Sequence, residues 1–183
     1  FDKPWEGRFA GYVTVLKDKK LFRMYYRGLP RSGGDGSTLE STCYAESADG
    51  CNWEFAPDPV LVLDQSWERQ RLFYPTVLKV DNRYWMWYGS YSQHGDMEMK
   101  TAIGCAYSDD GLQWQKDPDN PVFEPDPSRT WESHYTTSQS VLRLDDDSLR
   151  IWYASRPAPP FEHKYFAIGT ARWPESRRQP GAP

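Results

Sequence analysis

The sequence lacks the features that mark several common classes of protein. It has only three cysteines and three histidines in 183 residues, and neither set shows the spacing of a metal site or of a disulfide framework. No apolar run approaches the length of a membrane-spanning helix, and the chain carries a net charge of −4 without a basic stripe. We therefore expect a soluble protein without a metal or other cofactor, and neither nucleic acid nor a membrane as its partner.

The cellular compartment stays open at this point. The odd number of cysteines does not decide between a reducing and an oxidising environment. No signal peptide precedes Phe1, and the chain starts inside a motif-like segment. We expect either a cytoplasmic protein or an exported one whose leader is absent from this chain.

Aromatic residues, by contrast, are abundant. They make up 16% of the chain, with nine tryptophans and twelve tyrosines. Fifteen prolines and thirteen glycines interrupt the sequence at short intervals, as many short strands and tight turns require. Because no segment has a sustained helical period, composition and pattern together favour an all-β fold.

A repeat organises the whole chain. Each of three units begins with a Trp-Glu pair, and the pairs are spaced by 62 and 64 residues. An apolar run, a polar turn and an aromatic run follow, and the first two units close with a Ser-x-Asp-Gly-x-x-Trp element. The pairs are Trp5-Glu6, Trp67-Glu68 and Trp131-Glu132, and the closing elements span 47–53 and 108–114. A period of this length, built from short strands and turns, is typical of propeller blades.

Within each unit the pattern predicts antiparallel strands joined by short polar turns. The first strands are predicted at 12–17, 74–80 and 138–144, the second at 21–27, 84–90 and 149–155, and the third at 41–47, 101–108 and 165–172. A fourth strand is predicted in the first two units, ending at Leu61 and Phe123. We therefore expect a β-propeller of four-stranded antiparallel blades, as one domain or a propeller fragment. Its units are 5–66, 67–130 and 131–175, followed by a flexible tail at 176–183.

Three units make an incomplete ring, since single-chain propellers typically have about 4–8 blades. Exposed strand edges and uncovered apolar faces favour association with another surface. We therefore expect the chain to associate with itself or with missing blades.

The repeated glutamates are the first candidates for a functional role. Glu6, Glu68 and Glu132 precede the first strands and are expected near the mouth of the central channel, where a carboxylate pair could act as acid and base on a glycosidic bond. Alternatively, each Trp-Glu pair fixes the start of its blade, the carboxylate accepting hydrogen bonds from backbone amides. Repetition in every unit favours this second interpretation.

Polar residues that do not repeat are the second group of candidates. Carboxylates beside aromatic rings, arginine and histidine suit a sugar, because rings stack on its apolar face while polar groups bind its hydroxyls. A solvated polar rim would have a similar composition. From both groups we predict Glu68, Glu132 and Asp96 as catalytic residues. The predicted substrate-binding residues are His134, Tyr135, Arg69, Arg71, Tyr91, His94, Arg156 and His163.

At this level of detail the chain resembles the five-bladed β-propeller glycosidases, the superfamily that includes glycoside hydrolase families 32, 43, 62, 68 and 130. The resemblance lies in the element at 108–114 with the Asn-Pro-Val-Phe that follows it at 120–123, and in the paired segments 74–78 and 84–90. It spans roughly 5–173 and would account for three of five blades. The resemblance implies a glycoside hydrolase-like protein that acts on an oligosaccharide or polysaccharide-derived glycan through carboxylate acid/base chemistry.

The sequence departs from this superfamily where families 32 and 43 place their catalytic acids. Those families carry Asp-Pro, or a later Glu, near the starts of the first strands, and the matching positions here are Tyr12-Val13, Tyr74-Pro75 and Ser138-Gln139. The acids are then expected in missing blades or in Glu68 and Glu132. Otherwise the chain is a non-catalytic carbohydrate-binding or assembly propeller. A phosphorylase of the family 130 kind would need basic residues for phosphate, which Arg69, Arg71 and Arg156 could supply.

Overall fold

The structure, a computed structural model, describes residues 10–28, 40–91, 100–157 and 167–174. Within these ranges it consists of eleven strands and one turn of 3-10 helix, Thr130–Glu132, and contains no α-helix. The strands are β1 (Ala10–Asp18), β2 (Leu21–Gly28), β3 (Ser41–Ser47), β4 (Glu54–Phe55), β5 (Arg69–Val80), β6 (Arg83–Tyr91), β7 (Thr101–Ser108), β8 (Gln115–Lys116), β9 (Tyr135–Arg143), β10 (Leu149–Arg156) and β11 (Ala167–Trp173). No helix in the described part of the chain is long and apolar enough to span a membrane.

The strands form three blades of antiparallel sheet in the order of the sequence repeat. The first blade is the sheet β1-β2-β3-β4, the second comprises β5 to β8, and the third comprises β9 to β11. A single parallel bridge between Thr101 and Tyr135 joins the second and third blades into one continuous sheet. Among the described residues the third blade has three strands instead of four. The predicted architecture of antiparallel propeller blades is confirmed.

The first strand of each blade begins earlier than predicted because each contains a β-bulge. The pairing shifts register between Gly11 and Thr14 in β1, between Phe73 and Thr76 in β5, and at the matching point of β9. Tyr12, Tyr74 and Ser138 take left-handed backbone angles at the bulges, with φ of 53°, 52° and 52°. An extra residue breaks the alternation of inward and outward side chains, so the sequence pattern does not show the strand before it.

The fourth strands are shorter than predicted. β4 and β8 contain two residues each, and the chain returns to its sheet only at Leu61 and Phe123, through isolated bridges to Thr42 and Ile103. Two prolines interrupt each segment, at 57 and 59 and at 118 and 121. Proline has no N–H group to donate to a sheet, so pairing cannot continue through these segments.

The turns that close the first two units are built from the Asp-Gly pair of the repeated element. Gly50 and Gly111 take positive φ of 79° and 78°. The carboxylate of Asp49 accepts hydrogen bonds from the amides of Cys51 and Asn52 at 2.8 Å, and Asp110 does the same for its own turn. These amide hydrogen bonds lower the pKa of both carboxyl groups, because they stabilise the ionised form.

The core lies between the blades, in two clusters that include aromatic residues of the second strands. The cluster between the first and second blades includes Tyr25, Tyr44, Leu72, Val77, Met86 and Tyr88. The cluster between the second and third blades includes Trp85, Trp87, Ile103, Val141, Ile151, Tyr153 and Trp173. The first strands of adjacent blades also touch, because the hydroxyl of Thr76 donates to the carbonyl of Gln139 at 2.7 Å. The starts of β1, β5 and β9 therefore meet at one end of the blades.

Candidate functional site

An arginine lies over a tyrosine ring near this end of every blade. The guanidinium carbon is 4.6 Å from the ring centroid in the first blade, 5.3 Å in the second and 5.7 Å in the third. The pairs are Arg27 over Tyr12, Arg71 over Tyr91, and Arg156 over Tyr135. Each such pair is worth about 0.5–1 kcal/mol where it is exposed to solvent. The arginine lies on the second strand of the first and third blades but on the first strand of the second blade, so the residue types of these pairs are not part of the sequence repeat.

The tyrosine rings of the first and second blades are in contact with one another. The centroids of Tyr12 and Tyr74 are 3.9 Å apart, and Phe73 lies 5.7 Å from Tyr74 and 5.4 Å from Tyr91. A hydrogen bond with Tyr74 is the main cause of a raised pKa for Tyr12, and Arg27 opposes it. We call the set Tyr12, Tyr74, Tyr91, Tyr135, Arg27, Arg71 and Arg156 the arginine–tyrosine face.

Glu40 is a buried carboxylate beneath this face. The Nε of Arg27 lies 3.0 Å from one of its oxygens, and the Nε of Arg71 lies 3.6 Å from the other. The side chains of Glu40 and Arg27 are 7% and 8% exposed, whereas that of Arg71 is 36% exposed. The ion pair of Glu40 with Arg27 is therefore buried, whereas the side chain of Arg71 is partly exposed to solvent.

Glu40 was missed by the sequence analysis, although the repeat contained a signal for it. The backbone of Glu40 forms a parallel β-bridge with Arg71 at the start of the next blade. Thr101 forms the corresponding parallel β-bridge with Tyr135. A charged residue therefore takes a place that threonine holds in the next unit. Aligning the units at that register would have marked Glu40 as a non-repeated carboxylate.

The predicted catalytic residue Glu68 is enclosed in structural hydrogen bonds. One carboxylate oxygen accepts from the Tyr88 hydroxyl at 2.8 Å. The other accepts from the amides of Asp64 and Gln65 and from the ammonium group of Lys116, the last at 2.6 Å. The side chain is 0% exposed. These contacts favour the interpretation that this Trp-Glu pair fixes the start of its blade.

Glu132 repeats this arrangement in the third blade. It accepts hydrogen bonds from the Tyr153 hydroxyl and from Arg129, the latter at 2.8 Å, and it is 1% exposed. Tyr153 and Tyr88 occupy equivalent positions in their second strands. Burial, together with hydrogen bonding to Glu132, raises the pKa of the Tyr153 hydroxyl. A catalytic role for Glu68 and Glu132 stays a prediction, and their burial does not favour it.

The structure brings together only part of the predicted substrate-binding set. Arg71, Tyr91, Tyr135 and Arg156 belong to the arginine–tyrosine face. His134 is next to it but buried, with its ring 5.0 Å from that of Tyr135. Arg69 is exposed at the start of β5, where its amide donates to the Ser90 hydroxyl. Asp96, His94 and His163 lie outside the described residues.

The three bulge residues are structurally equivalent, which supports matching them to the acid positions of the superfamily. Tyr12, Tyr74 and Ser138 share both the bulge and the left-handed φ. None of them carries a carboxylate. Two contribute aromatic rings to the face instead, so this end of the described blades presents rings and guanidinium groups. Within the described ranges, no cluster of His, Cys, Asp and Glu could hold a metal ion.

Comparison with solved structures defines the class of fold as that of the five-bladed β-propeller glycosidases. A family 117 glycoside hydrolase of the marine bacterium Zobellia galactanivorans superposes with a TM-score of 0.74 at 13% identity, over 94% of this chain and 54% of that one. A family 32 β-fructofuranosidase of Bombyx mori superposes with a TM-score of 0.62 at 15% identity, over 87% of this chain and 33% of that one. The predicted resemblance is confirmed.

The family itself is shown by the sequence. Residues 12–140 match the family described as Glycosyl hydrolases family 32 N-terminal domain, and the chain belongs to that family. A curated relative, the beta-1,2-mannobiose phosphorylase of Thermoanaerobacter sp. (strain X514), is 26% identical over 119 residues, which is 61% of this chain and 39% of the relative. The chain thus spans less than two thirds of the length of these relatives.

Proposed function

We propose that the protein acts on an oligosaccharide or polysaccharide-derived glycan, and that the arginine–tyrosine face is the surface that binds it. The observation that carries this proposal is the convergence of four tyrosines and three arginines from three blades. Most of these residues lie outside the repeated scaffold pattern, so building a blade does not by itself require them. Membership of a glycosyl hydrolase family supports the same substrate class.

The chemistry of the face suits a sugar. Tyr12 is 37% exposed and can stack on the apolar side of a pyranose or furanose ring. Arginine provides several N–H donors in a fixed plane for hydroxyl oxygens. The carboxylate of Glu40 adds hydrogen-bond acceptors. The hydroxyl groups of Tyr74 and Tyr91 can either donate or accept hydrogen bonds. A few convergent polar groups on an aromatic surface are the usual composition of a carbohydrate site.

Cleavage of a glycosidic bond by the usual route needs two carboxyl groups flanking that bond. Among the described residues, Glu40 is a carboxylate in contact with the face, and it forms ion pairs with two arginines. In our proposal Glu68 and Glu132 fix the starts of the second and third blades. Asp96, outside the described residues, stays the candidate for a second acid. A non-catalytic binding propeller is the alternative, and the absence of acids at the three bulge positions favours it.

Binding can be tested by titrating the protein with a panel of oligosaccharides in a calorimeter. We expect Tyr91→Ala to weaken the best ligand about tenfold, because an aromatic anchor typically contributes more than 1 kcal/mol. The matched control is Tyr107→Ala, because Tyr107 also lies under an arginine, Arg83, at 5.2 Å. Tyr107 is on β7 and pairs with Trp85 near the start of β6, whereas Tyr91 is at the end of that strand. Equal losses for the two variants, or no binding across the panel, would contradict the proposal.

Turnover separates the two alternatives. Release of reducing ends from the bound oligosaccharide, abolished in Asp96→Asn with affinity unchanged, would identify a hydrolase. Retained binding without product from any oligosaccharide in the panel would identify a binding propeller.

A further inference from the structure

Trp131 is exposed, although its counterpart in the preceding Trp-Glu pair is buried. Trp131 is 38% exposed, whereas Trp67, at the same place in the second blade, is 9% exposed. The indole N–H of Trp67 also donates to the side-chain oxygen of Gln65 at 2.8 Å. The second blade therefore encloses its tryptophan, and the third blade presents the equivalent ring to solvent.

The ring of Trp131 is supported by the residues beneath it. It stacks on the Tyr153 ring, with 6.4 Å between the centroids and 18° between the planes. The Tyr153 hydroxyl donates to the buried carboxylate of Glu132, which also accepts from Arg129 at 2.8 Å. Because Tyr153 lies on one face of the indole, the opposite face is the one left for a ligand. A ring restrained in this way loses little conformational entropy on binding.

The turn that carries Trp131 supplies its own counter-ion for the buried carboxylate. In the second blade the cation at this place is Lys116 of β8, which lies 2.6 Å from Glu68. In the third blade it is Arg129, which precedes Glu132 by three residues in the sequence. Glu132 is therefore compensated by a charge from its own turn, and this compensation does not require a fourth strand over Trp131.

Polar groups border the exposed ring. Arg129 and Asp126 form an ion pair at 3.3 Å, and their side chains are 57% and 41% exposed. Besides burial and the hydrogen bond to Glu132, the charges of Arg129 and Asp126 act on the pKa of the Tyr153 hydroxyl. Both groups therefore lie near the stacked rings. A guanidinium group donates hydrogen bonds and a carboxylate accepts them, so this pair can bind two hydroxyl groups of one sugar.

We propose that Trp131 is a stacking platform for a pyranose unit, and that this turn of the third blade is a second glycan-binding site. The inference rests on the proposed function for its class of ligand, but it uses none of the residues of the arginine–tyrosine face. The apolar C–H face of the sugar lies on the free face of the indole, and its hydroxyl groups bind Arg129 and Asp126.

Hydroxyl-radical footprinting of the unmodified protein, read by mass spectrometry, tests the platform. The probes are cellotetraose, mannotetraose and β-1,4-galactotetraose, each at a concentration at which calorimetry records saturation. We expect a probe that binds to lower the oxidation of Trp131 about twofold or more, because a bound sugar excludes solvent from the ring. Phe55 is the internal control, since it is 44% exposed but meets Tyr26 edge-on instead of stacking on it. Its oxidation should not change.

Affinities of variants give a second measurement with the same probe. Trp131→Ala should weaken binding about tenfold, as the loss of an aromatic anchor typically does, and Trp131→Tyr should retain most of the affinity because a ring remains. Asp126→Asn should weaken binding about threefold, because the ionised acceptor is lost. Phe55→Ala is the matched control and should leave the affinity unchanged. Footprinting needs no substitution, so it decides the question even if Trp131→Ala does not fold.

The failure of this inference is distinguishable from the failure of the proposed function. Unchanged oxidation of Trp131 at saturating probe would exclude the platform, and a loss of affinity in Tyr91→Ala would still support the arginine–tyrosine face. If no oligosaccharide of the panel bound, both proposals would be wrong. If Trp131 became protected as the protein concentration rose without sugar, the ring would be a contact between copies of this chain, which would also overturn the inference.

Discussion

At the scale of single residues, Glu68 provides the sharpest test of what the Trp-Glu pairs do. Its carboxylate and the ammonium group of Lys116 form a buried ion pair, with side chains 0% and 7% exposed. We expect Glu68→Gln to lower the free energy of unfolding by about 3 kcal/mol, because it removes the buried partner of Lys116 and leaves that ammonium group with the exposed carboxylate of Asp64 alone. Urea unfolding followed by tryptophan fluorescence would measure this loss.

Glu54→Gln is the control for Glu68→Gln, since Glu54 is exposed on β4 and its replacement should change stability by less than about 0.5 kcal/mol. If Glu68→Gln retained full stability but lost turnover of a glycan substrate, the structural interpretation would be wrong. Glu68 would then be a catalytic residue, as the sequence first suggested.

At the scale of structural elements, the two signature turns share a sequence pattern but differ in their surroundings. A Cβ atom added to Gly50 would meet only the Phe22 ring, at 3.7 Å, whereas one added to Gly111 would lie 2.8 Å from both Arg23 and Tyr25 of the first blade. The turn of the second blade is therefore pressed against its neighbour. The Tyr25 hydroxyl also donates to the Gly111 carbonyl at 3.0 Å.

This difference predicts unequal costs for the same substitution. Gly50→Ala should lower the free energy of unfolding by about 1 kcal/mol, the cost of a left-handed residue that is not glycine. Gly111→Ala should lose about 1–3 kcal/mol more, because the new methyl group overpacks the contact between blades. Thermal or urea unfolding of both variants measures the difference. Equal losses would mean that this contact does not stabilise the protein.

At the scale of the whole molecule, the described blades expose apolar residues on their outer sides. Val13 and Val15 of β1 are 58% and 50% exposed, and Ile168 of β11 is 79% exposed. Side chains on the other side of these strands pack into the clusters between blades. The exposed residues thus lie where a further blade would pack in a complete ring.

We predict that this chain associates through those surfaces. Analytical ultracentrifugation at tens of micromolar should show species larger than a monomer, because burial of apolar surface drives association. Replacing both Val13 and Val15 by Glu should shift the protein toward the monomer. The same double replacement at the polar positions Lys19 and Lys20, in the β1–β2 turn, is the control. A stable monomer of the unmodified chain at that concentration would contradict the prediction.

Much of the fold was predictable because its determinants are local. The repeat placed the second and third strands within a few residues of their observed bounds, and the repeated Asp-Gly elements form turns closed by local hydrogen bonds. The first strands began earlier and the fourth strands were shorter than predicted. Bulges and prolines change the pairing at those points, and neither follows from alternation of apolar and polar residues.

The sequence by itself determined the class of fold, the order of the blades and the family, since each depends on short patterns that recur along the chain. Only the tertiary structure decided which residues share a surface. Tyr12 and Tyr74 are far apart in sequence, and their rings are in contact because the first strands of neighbouring blades pack together. Burial of Glu68 likewise depends on Tyr88 and Lys116, which lie 20 and 48 residues away. Contacts at such separations are set by how the blades pack, and a repeat pattern does not specify them.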